Sequence, residues 1–423
     1  MRRTLLTFLL LVLAAGALAL TGYEILKDRE GAGFAGIGRE PEYIQTSGSP
    51  ETDRSKEADT SAAPAVPEMI VIDTETQPAE TPAETQPAEP ETPAARTEPV
   101  RLAFAGDILF DPGYAIMASM LSRGGGSSGS LLVNAFGPSL VERMRSADLM
   151  MLNNEFPYTG RGTPTAGKKF TFRADPKYAS LLFDIGVDLV GLANNHAYDY
   201  GEVSLLDTLD TLQSIGMPYV GAGRNLEEAS APLVFEIGGL KIAYLAATQI
   251  ERNQPPDTRG AGENTPGVFR CMDDSLLLKR IRQAKEENDF VVVFIHWGTE
   301  GTDQTDWLQQ QQAPEIAAAG ADLIIGAHPH VLQGISYEGN VPVFYSLGNY
   351  LFNSRTLDTC LVTVSVDPAT AQILDLEFVP ASQSGCRTTE LEGSEKARVL
   401  QYMQSLSPGV QIDGEGHITK KGN

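Results

Sequence analysis

Short runs of apolar and β-branched residues alternate with segments of helical periodicity from residue 100 onward. Apolar runs bounded by turn residues predict buried strands, and apolar positions that recur every three or four residues predict helices. The strands are predicted at residues 100–105, 149–152, 189–193, 241–247, 290–296, 323–326, 343–346, 360–366 and 373–379. The helices are predicted at residues 134–146, 177–185, 203–215, 275–287, 307–319 and 395–405. This alternation favours an α/β fold in which helices cover the sheets, and residues 232–237 are predicted to form a β-hairpin with residues 241–247.

The first residues have the pattern of an exported protein. A cationic start, Met1-Arg2-Arg3, precedes an almost wholly apolar run at residues 5–20. Small residues around Ala17 offer cleavage sites, whereas an uncharged stretch of about 19 residues approaches a bilayer span. We expect residues 1–23 to be a signal peptide or, by preference, an uncleaved signal anchor in the cell membrane. The folded part would then lie outside the cytoplasm.

Residues 24–98 are rich in Glu, Thr, Pro, Ala and Gln. Such a segment buries too little apolar surface to offset the entropy of ordering, and its prolines favour extended conformations. We predict a disordered, acidic stalk that holds one folded domain, residues 99–423, away from the membrane. The short apolar segment at residues 69–72 is interpreted as a chance apolar patch rather than a docking strand.

Composition excludes several classes of function. The chain has 55 acidic and 32 basic residues and a net charge of −23, which argues against nucleic-acid binding through a basic surface. The three cysteines are far apart, so a disulfide framework and a zinc finger are excluded and at most one disulfide is allowed. The chain also lacks the glycine-rich phosphate loops of nucleotide-binding proteins.

Four of the five histidines lie where predicted strands end. His196 follows the strand at 189–193, His296 ends the strand at 290–296, and His328 and His330 follow the strand at 323–326. Ligand sites in α/β proteins lie in the crevice beyond the carboxyl ends of the strands. We therefore expect these imidazoles to converge.

Acidic residues end two further strands, at Asp107 and Glu155. Each polar residue also has an ordinary explanation. Asp107 could be a cap or turn residue, and Asn194 and Asn195 could be turn residues. The Glu155 carboxylate could be solvated, and a lone histidine after a strand is usually a structural residue. Six such residues at strand ends nevertheless favour a shared metal centre.

The donor types indicate which ions and which chemistry to expect. A residue before proline favours extended backbone, so His328 and His330 are predicted to point the same way from an extended segment. Carboxylates, imidazoles and a carboxamide suit one or two Mn²⁺, Zn²⁺ or Fe²⁺ ions, which activate water against a phosphate ester. His196 would protonate the leaving group and Asp199 would orient its ring, unless Asp199 is a surface acid.

Seven motifs follow one another between residues 106 and 349: Gly-Asp at 106–107, Asn-Asn-Glu at 153–155, Phe-Arg-Ala at 172–174, Ala-Asn-Asn-His-Ala-Tyr-Asp-Tyr-Gly at 193–201, His-Trp-Gly-Thr-Glu at 296–300, Gly-Ala-His-Pro-His-Val at 326–331 and Ser-Leu-Gly-Asn at 346–349. The series resembles the bacterial capsule-synthesis CapA family, which is associated with poly-γ-glutamate production. The resemblance implies a fold similar to calcineurin-like metallophosphoesterases, a layered αββα sandwich.

The resemblance also implies roles for individual residues. His196 would be the catalytic acid, and the metal ligands would be Asp107, Glu155, Asn195, His296, His328 and His330. Two positions depart from the phosphoesterase pattern. The segment Asp107-Ile108-Leu109 lacks the imidazole of an Asp-x-His motif, and Glu155 stands where those enzymes have a bridging Asp.

Three further residues are candidates for binding an anionic substrate. Arg173 can hold a phosphate or carboxylate in a bidentate fork, and Lys169 lies in the same basic stretch. Alternatively, this stretch is a solvated part of the surface whose positive charges balance those of nearby acidic residues. Asn349 follows a predicted strand and is expected to face the same pocket.

Together these features predict a membrane-tethered, extracytoplasmic protein of capsule or poly-γ-glutamate biosynthesis that hydrolyses a phosphoester or related anionic envelope substrate. The alternative is a non-catalytic component that binds the anionic polymer or its synthase complex. Hydrolysis or transfer of the γ-glutamyl polymer also remains open, because metal-activated water attacks amides as well as esters.

Overall fold

The computed structural model describes residues 69–72, 96–250 and 259–422. The predicted membrane segment, residues 1–23, and most of the predicted stalk, residues 24–98, lie outside these ranges. In the ranges described, the helices fall short of the length and hydropathy that a membrane span requires.

Two large sheets form the centre of the described structure, with strands numbered along the chain. The seven-stranded sheet contains, in spatial order, β1 (Ile70–Ile72), β7 (Leu233–Ile237), β8 (Leu240–Thr248), β10 (Phe290–His296), β11 (Leu323–Ala327), β13 (Val341–Phe344) and β12 (Ile335–Glu338). The eight-stranded sheet contains β17 (Arg387–Glu390), β16 (Ile373–Ser384), β15 (Leu357–Val366), β2 (Val100–Ile108), β3 (Leu149–Asn154), β4 (Leu189–Gly191) and β5 (Tyr219–Val220), and β14 (Asn349–Leu351) pairs with β2. Two small ribbons pair β6 (Ala222–Gly223) with β9 (Gly267–Val268), and β18 (Val410–Ile412) with β19 (Ile418–Lys420).

Helices cover the outer faces of both sheets. The eight-stranded sheet is covered by α1 (Ala115–Arg123), α2 (Pro138–Arg145), α3 (Glu202–Ile215) and the 3₁₀ helix Pro176–Ile185. The seven-stranded sheet is covered by α4 (Leu226–Ser230), α5 (Ser275–Glu287) and α6 (Trp307–Ala319). The last helix, α7 (Gly393–Leu406), packs on the core between the sheets, and short 3₁₀ turns lie at Gly126–Ser128 and Val133–Ala135.

The alternation of side chains along the strands explains this layering. Phe104 of β2 points between the sheets, where its ring centroid lies 6.4 Å from that of Tyr244 on β8. Its neighbour Ala103 points outward into the helix-covered core with Ile116 of α1. Successive strand residues face opposite sides of a sheet, so each sheet buries both faces. The layer order of helices, sheet, sheet and helices is the predicted αββα order.

The strongest periodic patterns predicted their elements well. The strand Phe290–His296 and the helices Ser275–Glu287 and Trp307–Ala319 have the predicted bounds, and the hairpin of β7 and β8 is antiparallel as expected. The pattern missed α1, because the Gly and Ser residues that follow it at 124–130 are typical of a loop. The cysteines are all free thiols, so the one disulfide that the sequence allowed is not formed.

The interpretation of residues 69–72 as a chance apolar patch is wrong. Ile70–Ile72 pairs in parallel with β7, and Ile70 lies opposite Phe235. Arg96 also belongs to the folded domain, since its guanidinium nitrogen lies 2.7 Å from a carboxylate oxygen of Asp148. The domain therefore uses residues on the amino-terminal side of the predicted boundary at residue 99.

Two glycines allow the chain to pass closely behind the predicted site. A Cβ atom on Gly326 would lie 2.1 Å from the carbonyl oxygen of Tyr345 and 2.4 Å from Nε1 of Trp297. A Cβ atom on Gly106 would lie 1.9 Å from the carbonyl oxygen of Gly348. Gly106 directly precedes Asp107, and Gly326 lies two residues before His328, so both strand ends are packed against neighbouring backbone.

We expect Gly326→Ala to lower the free energy of unfolding by about 1 to 3 kcal/mol or more, because the added methyl group overpacks backbone that cannot move freely. Chemical denaturation of the purified protein measures this effect. Gly160→Ala is the control, since a Cβ there would meet no atom of the described residues within 4 Å, and the expected change is below about 0.5 kcal/mol. Equal stability of the two variants would contradict the packing argument.

Candidate metal centre

The polar residues of interest lie at the carboxyl ends of parallel strands in both sheets. In the eight-stranded sheet, β2, β3 and β4 run parallel, and in the seven-stranded sheet β8, β10 and β11 run parallel. Nε2 of His296, at the end of β10, hydrogen-bonds to Oδ1 of Asn195, which follows β4, at 2.8 Å. The strand ends of the two sheets therefore meet in one crevice, as the sequence predicted.

Glu155 lies at the centre of this crevice and is fully buried. Its Oε1 atom is 3.6 Å from Nε2 of His296, 3.9 Å from Nε2 of His330 and 4.0 Å from Nε2 of His196. Among the described residues, this oxygen has no hydrogen-bond partner. Buried polar atoms without partners are rare in folded proteins, so the arrangement requires an explanation.

Burial and neighbouring charges move the pKa values of the cluster away from their ordinary values. Burial raises the pKa of Glu155 well above its ordinary value, and repulsion from Asp107 adds to the shift. Burial also lowers the pKa of His296 well below its ordinary value, and His328 adds to that shift. A cation in the crevice would stabilise both the ionised carboxylate and the neutral imidazole.

A second group of ligand atoms lies beside Glu155. Nδ1 of His330 is 3.1 Å from Oδ2 of Asp107 and 2.8 Å from Oδ1 of Asn349. Burial lowers the pKa of His330, but the hydrogen bond and charge of Asp107, the charge of Glu300 and the hydrogen bond to Asn349 together raise it, and the net shift is upward. Asn349 thus faces the pocket, as expected from its position after a strand.

The predicted extended backbone at the two histidines of the His-Pro-His segment is wrong. His328 has a φ angle of 98° and His330 one of 60°, both in the left-handed region. The segment is a tight turn after β11, and the carbonyl oxygen of Pro329 accepts a hydrogen bond of 2.9 Å from the amide of Gly301. The rings still converge, with centroids 5.8 Å apart. Strained backbone of this kind is held in place by its surroundings and clusters at functional sites.

His196 is hydrogen-bonded to Asp199, which forms a buried ion pair with Lys168. Its Nδ1 donates to Oδ2 of Asp199 at 2.7 Å, and Asp199 also accepts from the amide of Phe172 at 2.7 Å. Nζ of Lys168 contacts Oδ1 of Asp199 and the carbonyl oxygen of Asn195. Asp199 is fully buried, which rules out the alternative of a surface acid.

The basic stretch is divided between the site and the surface. Lys168 reaches the His196 pair, whereas Lys169 is exposed and its ammonium lies 4.9 Å from the ring centroid of Phe170. The Arg173 guanidinium lies 4.5 Å from the ring centroid of Tyr200. Sequence alone does not distinguish Lys168 from Lys169, because which of two adjacent side chains turns inward depends on the path of the loop.

Sequence reasoning also missed two asparagines that orient the ligands. Nδ2 of Asn153 donates to Oδ1 of Asp107 at 2.7 Å and lies 3.3 Å from Nδ1 of His296. Nδ2 of Asn194 in turn donates to Oδ1 of Asn153 at 3.1 Å. Such outer partners fix the orientation of metal ligands, and both asparagines lie within motifs that the sequence displayed.

The residues present fit a divalent-metal centre. Two groups, Glu155 with His296 and His328, and Asp107 with Glu155 and His330, each place ligand atoms within 4.8 Å of one another. Nitrogen and oxygen ligands bind such ions at about 2.0–2.2 Å, so atoms on one ion lie roughly 3 to 4 Å apart. Glu155 belongs to both groups, and its unsatisfied oxygen is placed to serve both. The nitrogen and oxygen donors suit Mn²⁺, Zn²⁺ or Fe²⁺.

A family model described as "Bacterial capsule synthesis protein PGA_cap" matches residues 101–354, more than half of the chain. The chain belongs to this family. The matched span contains every candidate metal ligand named above. The resemblance to capsule-synthesis proteins that the motifs indicated is thereby confirmed.

Two relatives of this PGA_cap chain carry related names. It is 34% identical over 223 residues to "PGA biosynthesis protein CapA" of Bacillus subtilis (strain 168), covering 52% of this chain and 57% of that protein. It is 30% identical over 292 residues to "Capsule biosynthesis protein CapA" of Bacillus anthracis, covering 64% of this chain and 68% of that protein. The chain thus spans little more than half the length of the first relative.

One solved structure with a partial likeness is that of a novel phosphatase from Mycoplasma pneumoniae. The identity is 15% and the TM-score 0.42, over 69% of this chain and 96% of the other. A score of this size does not establish a shared fold, so the architecture of the PGA_cap chain rests on its own sheets and helices.

We expect Lys168→Met to destabilise the protein by about 3 to 5 kcal/mol, because it leaves the buried Asp199 carboxylate without its cation. The free energy of unfolding from chemical denaturation measures the change. Lys169→Met is the matched control at the adjacent, exposed position, with an expected change below about 0.5 kcal/mol. Similar losses in both variants would contradict the assignment of Lys168 to the buried pair.

We expect Mn²⁺ to raise the midpoint of thermal unfolding more at about pH 8 than at about pH 5, relative to protein in chelator. The raised pKa of Glu155 means that the metal-free protein loses this group's stabilising contribution as the pH rises through the folded-state pKa. A metal ion binds the ionised carboxylate and offsets that loss. A shift that is equal at both pH values, or larger at the lower one, would show that Glu155 is not a ligand.

Proposed function

We propose that this PGA_cap protein is a divalent-metal-dependent hydrolase of a phosphoester or related anionic substrate in capsule or poly-γ-glutamate biosynthesis. The observation that carries the proposal is the unsatisfied Oε1 of Glu155 among three imidazole nitrogens. The amino-terminal sequence pattern supports an extracytoplasmic domain tethered to the membrane.

The ions would be held by side chains from both sheets, namely Asp107, Glu155, Asn195, His296, His328 and His330. Bound divalent ions would lower the pKa of a water molecule, and their positive charge would polarise a phosphoryl oxygen. Asn153 and Asn194 hold the ligands in place through the hydrogen bonds described above. The chain's own residues thus hold the proposed ligands in fixed orientations.

His196 is the proposed proton donor to the leaving oxygen. Because Asp199 accepts from Nδ1, the other ring nitrogen, Nε2, is directed toward Glu155 and carries the proton that is transferred. Burial lowers the pKa of His196, Asp199 acts in the opposite direction, and the net shift is downward, so the ring donates from Nε2 only after it has taken up a second proton. The ring of Phe172, with its centroid 4.2 Å from that of His196, shields this side of the imidazole from water.

Arg173 is the proposed anchor for the substrate anion. It directly follows Phe172, whose ring packs against that of His196, and a guanidinium can hold a phosphate or carboxylate in a bidentate fork. Lys169 would attract the polyanion from its exposed position. Asn349 would support the substrate side of the pocket while it holds Nδ1 of His330.

A non-catalytic role in binding the polymer or its synthase complex is favoured by one observation. Leu109 stands where a metallophosphoesterase carries the histidine of Asp-x-His, and its side chain is buried in the apolar core. The site therefore lacks one imidazole ligand of an active phosphoesterase. Binding of poly-γ-glutamate by metal-loaded protein that does not hydrolyse phosphoesters would support this second candidate.

We expect full-length protein with Mn²⁺ to hydrolyse a p-nitrophenyl phosphodiester, and His196→Ala to lower kcat by about 10² to 10⁴-fold through loss of the general acid. His417→Ala is the control, because His417 is paired with Asp375 outside the candidate centre. Release of nitrophenolate measures both rates. Absence of hydrolysis by the wild-type protein, or an unchanged rate in His196→Ala, would refute the proposed mechanism.

A further inference from the structure

The loop between β10 and α6 carries an acidic residue, Glu300, that has no assigned role in the site described above. A carboxylate oxygen of Glu300 lies within 4.8 Å of a ligand nitrogen of both His328 and His330. Glu300 is exposed, whereas Asp107 and Glu155 are fully buried. It therefore lies on the solvent side of the candidate centre, where a substrate would enter.

The fold holds this loop against the His-Pro-His turn. The amide of Gly301 donates to the carbonyl oxygen of Pro329, the residue between the two histidines, at 2.9 Å. Nε2 of the buried Gln333 donates to the carbonyl oxygens of Thr302 and Gln304 at 3.1 and 3.0 Å. The backbone on the carboxyl side of Glu300 is thus fixed, and its carboxylate is placed beside the imidazoles by the fold.

The charge of Glu300 is unfavourable for an anionic substrate unless a cation offsets it. An uncompensated carboxylate at the entrance would repel phosphate or polyglutamate, since like charges at short range interact strongly near a low-dielectric wall. Coordination to a divalent ion removes this conflict. The same coordination would supply a donor to a centre in which Leu109 replaces the imidazole of Asp-x-His.

We propose that Glu300 is a metal ligand of this centre, beside His328 and His330, and that it adds a donor to a centre in which Leu109 supplies none. The inference rests on the metal centre of the proposed function, and it concerns which residues hold the ion rather than the reaction.

The test is calorimetric titration of chelator-treated, full-length protein with Mn²⁺ for the wild type, Glu300→Gln and Asp303→Asn. We expect Glu300→Gln to weaken the binding of one Mn²⁺ by at least about tenfold, since even the loss of an outer-shell partner has an effect of that size. Asp303→Asn removes the same charge from the same loop, where Asp303 accepts from the Tyr402 hydroxyl at 2.9 Å, and should titrate like the wild type.

A Glu300→Gln titration identical to that of the wild type would overturn the inference, as would an equal loss in Asp303→Asn, which would indicate general electrostatics. Thermal unfolding in chelator, expected to be the same for all three proteins, shows that the folds are comparable. Phosphodiester hydrolysis measured in parallel separates the two proposals. Selective weakening in Glu300→Gln without hydrolysis by the wild type would support the ligand and refute the hydrolase, whereas a wild type that binds no Mn²⁺ would refute both.

Discussion

One buried carboxylate oxygen governs the organisation of the candidate site. Oε1 of Glu155 is enclosed by imidazole nitrogens of His196, His296 and His330 at distances that are too long for hydrogen bonds. An isolated buried carboxylate is strongly disfavoured, and the raised pKa of Glu155 expresses that cost. A divalent cation among these atoms is the simplest arrangement that satisfies the carboxylate and keeps the imidazoles neutral.

The rest of the fold serves to bring these atoms together from distant parts of the chain. Parallel strands in two different sheets end at one crevice, and Asn195 and His296 join the sheets across it. Gly106 and Gly326 allow backbone to pack directly behind the strand ends. Because close-packed interiors transmit displacement, the ligand positions depend on the packing between the sheets as well as on the ligands themselves.

Local patterns predicted the elements that are apolar and regular, and non-local contacts decided the rest. The seven-residue strand at Phe290–His296 was predictable because its residues form one apolar run that ends in a polar histidine. The three residues of β1 were not predictable, because so short a run forms a strand only through its pairing with β7. The left-handed backbone at His328 depends on a turn tied to Gly301, which the preference of a residue before proline does not include.

The difference between local patterns and non-local contacts also applies to the candidate site of this PGA_cap chain. Strand-end positions were sufficient to predict that the candidate ligands converge, whereas the inward position of Lys168 and the approach of Glu300 depend on loop paths. The most direct test of the central claim is anomalous diffraction at the zinc edge from crystals soaked in Zn²⁺. We predict a peak at about 2.0–2.2 Å from Oε1 of Glu155, with imidazole nitrogens among its other ligands. A crevice without an anomalous peak, in which Glu155 donates a proton to a neighbouring side chain, would contradict it.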